Sequence, residues 1–367
     1  MTAMQTIPLS KCFLNSAVEE AALRALRSGQ YILGEECRAF EAELAADAGV
    51  QHCVLGSSWT MIVYMTHLAQ GLRPGDEVIV PSHTAVPTLE PLIHCGAKPV
   101  FVDIDDTYCL DVNHIEAALT PRTVGIIPVH LYGHPADLDP ILALAARHGL
   151  WVLEDCAQAQ GATYKGRRVG SLGLAGGFSF FPSKNLTVLG DGGCLCTNDA
   201  ALAGRVRMFR NHGRKDKYLH QFAGFNVRFN EIQAAVGRVM LQHLEALNDN
   251  RRAIAAHYNR RLQGLVQTPP EKPWAKAVYH LYVVRAPRRD PLRRFLDEHG
   301  IQTGLHYPIP SHQQPAITSR FDKIPPLPKT EQAAREILSL PIHGQMTLDA
   351  AESVCGAIER FFGKWPG

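Results

Sequence analysis

The chain has 367 residues, 46% of them hydrophobic, and its 37 basic and 35 acidic residues leave a formal net charge of +2. This length and composition suffice for a large domain with a smaller one beside it. No basic block or acidic tail is present, so the charge pattern indicates neither a nucleic-acid nor a membrane partner. The start of the chain lacks a secretory pattern and no apolar run reaches bilayer length, which predicts a cytoplasmic protein.

The nine cysteines are scattered along the chain, as expected of free buried thiols in a reducing compartment. Cys194 and Cys196 alternate along a predicted strand and lack a second ligand pair at zinc spacing. The 17 histidines show no convincing metal spacing either. We therefore predict no metal site.

Two helices are predicted before the first strand. Ser16 is followed three residues later by Glu19, a capping-box pattern that begins a helix, and Gly29 ends it. After a short link at 31–34, residues 35–47 are predicted to form a second helix with one apolar face.

Strands and helices then alternate along the chain. The predicted strands are 53–55, 77–80, 99–102, 124–127 and 150–153, and the predicted helices are 60–70, 88–95, 112–119 and 138–148. Repeated strand–helix units predict an α/β fold with a mostly parallel central sheet and helices on both faces. Such sheets carry their sites beyond the carboxyl ends of the strands, so the polar turns there are expected to converge.

The last third of the chain is predicted to form a smaller C-terminal α/β domain. Its predicted strands are 278–285 and 300–306, and its predicted helices are 291–298 and 347–362. Helices at 200–209 and 230–261 precede it, and three prolines in 267–274 indicate a hinge or linker. We predict a large domain over 1–246 and a small domain over 247–367 that includes the connecting helix.

One lysine stands in an unusual setting between residues 176 and 193. A phenylalanine-rich buried strand is followed by Pro182, which ends regular pairing, and then by Lys184 in a polar loop. A lysine at the rim of an apolar sheet loses its proton more readily, and the neutral amine forms Schiff bases with carbonyls. The alternative is a solvated loop lysine, and the neighbouring motifs must decide between the two.

A carboxylate follows another predicted strand. Asp155 comes directly after strand 150–153 and its neighbour Glu154, where a side chain can point into the shared cleft. There it can hold a heteroaromatic ring nitrogen protonated, as pyridoxal phosphate (PLP) requires beside its lysine. Gln158, one turn later, can hydrogen-bond a phenolic oxygen on that ring. The alternative for Asp155 is a cap for the following turn.

The turn at 56–60 suits a phosphate. Backbone amides at a helix start bind anions, and the hydroxyls of Ser58 and Thr60 add donors there. Ser179 and Ser183 supply hydroxyls on either side of Lys184. Serine and threonine are also ordinary helix caps, so this motif is weak alone. The specific signal is the combination of a phosphate cradle, a ring anchor and an amine, each after a strand.

Together these motifs resemble the DegT-type aminotransferases that act on nucleotide-linked keto-sugars, in the aspartate-aminotransferase fold (fold type I). The matching stretches are GQYILG (29–34), PGDEVIVP (74–81), PVFVD (99–103), PVHLYGH (128–134), EDCAQ (154–158), FSFFPSKN (178–185), GFNVRFNEIQA (224–234) and GLHYP (304–308). The resemblance covers nearly the whole chain.

The resemblance implies a role for each candidate residue. Lys184 is expected to form the Schiff base and then move the proton, with Asp155 at the ring nitrogen and Gln158 at the phenolic oxygen. Three groups of residues complete the expected site: Ser58, Ser179, Ser183 and the amides of Trp59 and Thr60 near the phosphate; Asn226 at the phosphate of the neighbouring subunit in a homodimer; and Tyr31, Arg228 and His306 on the substrate side. Arg228 has the alternative of a surface charge, and His306 that of a satisfied strand histidine.

The chain departs from the family pattern near the cofactor. Trp59 stands where the family usually has glycine, and Ala85 where it usually has an aromatic that stacks on the ring. Gln160 stands where the family often has histidine, and Leu174 stands where it often has aspartate. Met61 replaces a small or polar residue of the family. One hypothesis is that the Trp59 indole covers the ring in place of the lost aromatic. The alternative is that Trp59 packs in the core and only its backbone serves the phosphate.

The predicted activity is transfer of an amino group from glutamate or glutamine to a keto-sugar or keto-cyclitol. The first alternative is a dehydratase or aromatising lyase with the same cofactor. Relatives that dehydrate sugars carry histidine at the lysine position, so Lys184 argues against that branch but not against an aromatising one. The second alternative is a regulatory homologue without activity, supported only by the altered phosphate turn.

Overall fold

The computed structural model describes residues 6–321 and 324–363. Its helices are α1 Ser16–Arg27, α2 Glu35–Ala48, α3 Trp59–Gln70, α4 Glu90–His94, α5 Leu138–His148, α6 Ala200–Phe209, α7 Glu231–Arg261, α8 Arg289–Glu298, α9 Pro315–Thr318, α10 Pro328–Glu336 and α11 Leu348–Phe361. None of the helices in the described ranges has both the length and the apolar character needed to cross a bilayer.

The strands form one large sheet and two small ones. They are β1 His52–Gly56, β2 Glu77–Pro81, β3 Lys98–Val102, β4 Thr123–Ile126, β5 Trp151–Asp155, β6 Thr163–Tyr164, β7 Arg167–Arg168, β8 Ala175–Ser179, β9 Gly193–Thr197, β10 Ala275–Lys276, β11 Tyr282–Arg285 and β12 Ile337–Leu340. The central sheet has the order β1-β9-β8-β5-β4-β2-β3, in which β9 runs antiparallel to its two neighbours and the other pairs are parallel. The predicted mostly parallel sheet is confirmed.

Side chains alternate between the two faces of this sheet because successive strand residues point in opposite directions. On β1, Cys53 packs with Phe40 of α2 and Met240 of α7, whereas the next residue, Val54, packs with Ile62 of α3 on the other face. Both faces are therefore covered by helices, which explains why the strands are buried along nearly their whole length.

The C-terminal part has an apolar core of its own. The second half of α7 contributes Ile254, which packs with Val284 of β11, Leu292 of α8, Leu338 of β12 and Val354 of α11. Helix α7 runs for 31 residues through the predicted domain boundary at residue 246. The division into 1–246 and 247–367 stays a prediction.

Three predicted elements differ from the structure. The cap of α1 is Asn15, whose side chain accepts the Val18 amide, so the capping box from Ser16 to Glu19 is wrong although the helix begins at Ser16. Predicted helix 112–119 is two short 3₁₀ turns, Val112–His114 and Glu116–Ala118. Predicted strand 300–306 makes only isolated bridges, and the partner of β11 is β12.

Candidate active site

A cavity of about 270 Å³ opens where several strands of the central sheet end. Its size is close to the lower end of small-molecule pockets, about 300 Å³. It is lined by Ser58, Trp59, Thr60, Thr84, Ala85, Pro87, Thr88, Val129, Asp155, Ala157, Gln158, Ser179, Phe181, Lys184, Asp191 and Gly192. Seven of the predicted site residues lie in this lining: Ser58, Trp59, Thr60, Asp155, Gln158, Ser179 and Lys184. The turns after predicted strands 53–55, 77–80, 124–127 and 150–153 converge here as predicted. The turn after 99–102 does not, since Asp103 lines a different cavity.

Lys184 projects into the cavity from a loop that is held in place on both sides. Its backbone amide donates to the Phe181 carbonyl at 2.8 Å. The next residue, Asn185, donates through Nδ2 to Asn248 of α7 at 2.8 Å and to the Val278 carbonyl at 3.0 Å. Burial lowers the pKa of Lys184 to about 8, against the opposing effect of the Asp155 charge. A substantial fraction of this amine is therefore neutral near physiological pH.

Asp155 ends β5 as a buried carboxylate with two fixed partners. Its Oδ2 accepts from the Thr88 hydroxyl at 2.7 Å, and its Oδ1 accepts from the Ala157 amide at 3.0 Å. Burial raises the pKa of Asp155, and the Lys184 charge acts in the opposite direction. A cationic group bound beside it would therefore stabilise the ionised form.

The other end of the cavity offers donors to an anion. Ser58 caps α3, with its hydroxyl oxygen accepting from the Met61 amide at 3.2 Å. Within the described chain, the amides of Trp59 and Thr60 have no acceptor, as is normal in the first turn of a helix. Ser179 borders the same cavity with its hydroxyl. Free amides at a helix start and nearby hydroxyls together form a phosphate-sized anion site.

Gln158 lies beside Asp155 with its amide held in one orientation. Its Oε1 accepts from the Tyr132 backbone amide at 2.7 Å, and its Nε2 donates to the Tyr307 hydroxyl at 3.0 Å. The sequence analysis did not identify Thr88 or Tyr307. Thr88 does follow β2 among polar residues, so the rule that placed Asp155 after a strand could have identified it.

Five predicted site residues lie outside the lining of the cavity. Ser183 is partly exposed, and the side chain of Tyr31 is 51% exposed. Asn226 is exposed and accepts from Nε of Arg228 at 2.9 Å. The ring of His306 contacts the Ser339 hydroxyl at 2.8 Å, and both burial and the Lys184 charge lower its pKa. Their roles stay predictions.

Trp59 packs its indole on the sheet. The side chain is 5% exposed and lies in the apolar core beside Leu195 and Val227. A Cβ on Gly177 would stand 1.5 Å from Cζ3 of Trp59, so the indole lies directly on the backbone of β8. Gly177 is the neighbour of Asp155 in the sheet register. This geometry favours packing in the core over the hypothesis that the indole covers a bound ring.

Gly177→Ala should destabilise the protein, because the added methyl group and the indole cannot occupy the same space. We expect a loss at or above the upper end of the usual cost of overpacking, about 1–3 kcal/mol of unfolding free energy. In a Trp59→Gly background the same change should cost at least about 1 kcal/mol less. Urea unfolding of the four proteins measures both values.

Gly204→Ala is the matched control, because Gly204 lies in α6 with open space where its Cβ would stand. A helical Gly→Ala change is worth up to about 1 kcal/mol in favour of the helix, so no loss is expected. Equal costs of Gly177→Ala with and without Trp59 would contradict the contact.

A cluster of thiols lies in the core on the α2 side of the sheet. Register pairs Cys53 with Cys196, and these two sulfur atoms lie with that of Cys194 within 4.8 Å of one another, all buried. The spacing argument against a metal site considered Cys194 and Cys196 alone and missed the third thiol, which comes from β1. All nine cysteines are free.

Comparison with known proteins places this arrangement in a family. The model of the DegT/DnrJ/EryC1/StrS aminotransferase family matches residues 14–359. The chain belongs to this family. Among DegT-family proteins it is 46% identical over 351 residues to the erythromycin biosynthesis sensory transduction protein EryC1 of Saccharopolyspora erythraea, covering 94% of this chain and 95% of that protein.

A further sequence match and a solved structure are similar over nearly their whole length. One is the dTDP-3-amino-3,4,6-trideoxy-alpha-D-glucose transaminase of Streptomyces venezuelae, 44% identical with 95% of this chain and 93% of that protein covered. The other is the solved structure of S. venezuelae DesV with a ketimine intermediate, with a TM-score of 0.94 and 43% identity over 97% of this chain and 98% of that one. The predicted family, the fold class and the assignment as a sugar aminotransferase are confirmed.

Proposed function

We propose that this enzyme uses PLP to move an amino group from glutamate or glutamine to a keto-sugar, which is nucleotide-linked, or to a keto-cyclitol. The observation that carries the proposal is that the Lys184 amine and the buried Asp155 carboxylate line the same cavity. A helix start with free amides lines it as well. The names of the relatives support a sugar as acceptor, because one is a transaminase of a dTDP-linked amino sugar.

The residues of the cavity fit PLP group by group. Asp155 is buried, and no cationic side chain in residues 6–321 and 324–363 hydrogen-bonds to it, which leaves it free to pair with a protonated ring nitrogen. The free amides of Trp59 and Thr60, with Ser58 and Ser179, suit the phosphate. When bound, PLP supplies an electron sink next to the reacting carbon. Lys184 Nζ would hold the aldehyde and would carry the proton taken from the donor Cα.

The proposal includes a homodimer in the cytoplasm, with small-molecule substrates. Asn226 is exposed and 2.9 Å from Nε of Arg228, a position from which it can reach a neighbouring copy. Tyr31, which is exposed, and the partly buried Arg228 and His306 are assigned to the substrate side, and Ser183 to the loop near the phosphate. His306 lies close enough to Lys184 for the lysine charge to lower its pKa, which supports its assignment.

One relative gives a reason to test a regulatory role, since EryC1 is named a sensory transduction protein. The decisive experiment adds PLP to the purified protein, then glutamate, then a panel of nucleotide-linked keto-sugars and keto-cyclitols. We expect a yellow protein that loses its colour with glutamate and releases 2-oxoglutarate, and then an aminated sugar. A protein that cannot be charged with PLP would support the regulator, and water loss without amino transfer would support a lyase.

Schiff-base formation should depend on pH through Lys184. Because the pKa of Lys184 is lowered to about 8, the neutral fraction of the amine falls about tenfold for each pH unit below 8 and is nearly constant above it. We therefore expect the rate at which apoenzyme takes up PLP to rise with pH and level off near pH 8. Stopped-flow absorbance follows the reaction, and Nα-acetyl-lysine, measured alongside, corrects for the ionisation of PLP. A rate that still rises tenfold between pH 9 and 10 would contradict the lowered pKa.

A further inference from the structure

Tyr307 brings a phenol from the C-terminal part of the chain next to a residue that lines the cavity. Its hydroxyl lies 3.0 Å from Nε2 of Gln158, a residue that lines the cavity. The ring packs near His83, which follows β2. Nearby Gly304 is bridged to Ser339 of β12, which ties this segment to the small sheet. The contact therefore joins residues that are 149 positions apart.

The orientation of the Gln158 amide is fixed by its other partner. The Tyr132 backbone N–H can only donate, so the Gln158 atom that it meets at 2.7 Å must be the carbonyl oxygen. The amide nitrogen of Gln158 therefore faces Tyr307 and donates one of its two hydrogens to that hydroxyl. Within the described residues, the second hydrogen of this nitrogen has no acceptor in the protein.

The hydroxyl of Tyr307 has a proton of its own to donate. It accepts from Gln158, and no acceptor for its hydrogen lies within reach in residues 6–321 and 324–363. Burial raises the pKa of Tyr307 to about 12, and the nearby Asp155 charge adds to this, so the phenol stays protonated. A partly buried hydroxyl whose proton has no acceptor among the described residues is suited to a ligand oxygen.

We propose that Tyr307 donates its hydroxyl hydrogen to the phenolic oxygen of PLP, beside the Gln158 amide, and so sets the basicity of the imine on Lys184. The proposal rests on the proposed function, because it requires PLP at Lys184. Donors to the phenolic oxygen stabilise its negative charge most when the imine has lost its proton. Tyr307 therefore lowers the pKa of that imine.

Tyr307→Phe removes one oxygen and keeps the ring, so the fold is retained. In the PLP-loaded enzyme, the pH titration of the visible absorbance of the imine reports its pKa. We expect this pKa to rise by about one unit in Tyr307→Phe, the size of one charge-assisted hydrogen bond lost from one protonation state. An unchanged imine pKa would overturn the role of Tyr307.

Tyr108→Phe is the matched control. Tyr108 is a buried tyrosine of the same aromatic group, next to Tyr132 and His83. Unlike Tyr307, it makes no hydrogen bond to a residue of the cavity lining within the described chain. Its imine pKa should equal that of the wild type, and an equal rise in both variants would also overturn the proposal. A wild-type protein that forms no imine would overturn the proposed function itself, so the two failures are distinguishable.

Discussion

Replacing Lys184 with alanine should lower turnover by at least about three orders of magnitude. Positioned acid–base catalysis alone contributes about 10²–10⁴-fold, and the covalent link to the cofactor is lost in addition. Within the described part of the chain, Lys184 is the one lysine that lines the cavity. No neighbouring amine is therefore placed to take its role.

The measurement is amino transfer from glutamate to the acceptor, monitored as 2-oxoglutarate release, with the pyridoxamine form supplied separately. The matched control is Lys165→Ala, because Lys165 is an exposed lysine paired with Asp139 on the surface. The control should keep wild-type turnover, since an exposed ion pair contributes little to stability and Lys165 lies outside the cavity. Undiminished turnover in Lys184→Ala would contradict the proposed catalytic role of Lys184.

Much of the site was predictable because short local sequence patterns determine the positions of the amine, the carboxylate and the helix start. The strand that ends in Ser179, the proline after it and Lys184 lie within six residues, and local turns place them. Asp155 follows its strand directly, and parallel strands bring their carboxyl ends to one edge. The sequence analysis therefore identified the amine, the carboxylate and the helix start correctly as lining one cavity.

The unpredicted parts depend on contacts between distant residues. Thr88 reaches Asp155 across 67 positions, and Tyr307 reaches Gln158 across 149. Neither contact is marked in the sequence by hydrophobic periodicity or by turn residues, because contacts between distant side chains are decided by tertiary packing. Trp59 is similar: its packing depends on the absence of a side chain at Gly177, 118 positions away, in a strand whose pattern alone does not require glycine.

The C-terminal errors have the same origin. Segment 300–306 makes only two isolated bridges, from Ile301 to Ile7 near the start of the chain and from Gly304 to Ser339. The regular partner of β11 is Ile337–Leu340, which directly follows α10. A four-residue apolar run is ambiguous between strand and helix, and only the long-range pairing with β11 decides it.

Glu154, next to the predicted Asp155, shows how the opposite face of β5 supports the site. Its side chain is fully buried, and Oε1 accepts from the amides of Leu172 at 2.7 Å and Gly173 at 2.8 Å. Oε2 accepts from the Gly170 amide at 2.7 Å and lies 3.1 Å from Nε2 of His130. One carboxylate thus holds the loop before β8 against the sheet.

This network is joined to Asp155 through the backbone. The His130 amide donates to the Asp155 carbonyl at 3.0 Å, and the Asp155 amide donates to the Pro128 carbonyl at 2.9 Å. The loop held by Glu154 passes so close to β8 that a Cβ on Gly176 would stand 2.2 Å from Cα of Gly170. The position of the cofactor-facing carboxylate therefore depends on Glu154 as well.

Glu154→Ala is expected to prevent stable folding. The change leaves the buried Gly170 amide and the partly buried amides of Leu172 and Gly173 without their acceptor. Each such loss costs up to about 1–3 kcal/mol. The sum approaches the whole stability of an ordinary domain, about 5–15 kcal/mol. Glu154→Gln should be intermediate, because its carbonyl oxygen can still accept from Leu172 and Gly173 while its NH₂ group faces the Gly170 donor.

Urea unfolding without PLP measures these changes free of any stabilisation by the ligand. Glu116→Ala is the control, since Glu116 is 64% exposed and pairs with Arg147 at 3.5 Å on the surface. We expect the control to lie within about 1 kcal/mol of the wild type, Glu154→Gln to be clearly less stable, and Glu154→Ala to give little folded protein. A Glu154→Ala protein as stable as the control would mean that the loop before β8 is held by its packing and not by this carboxylate.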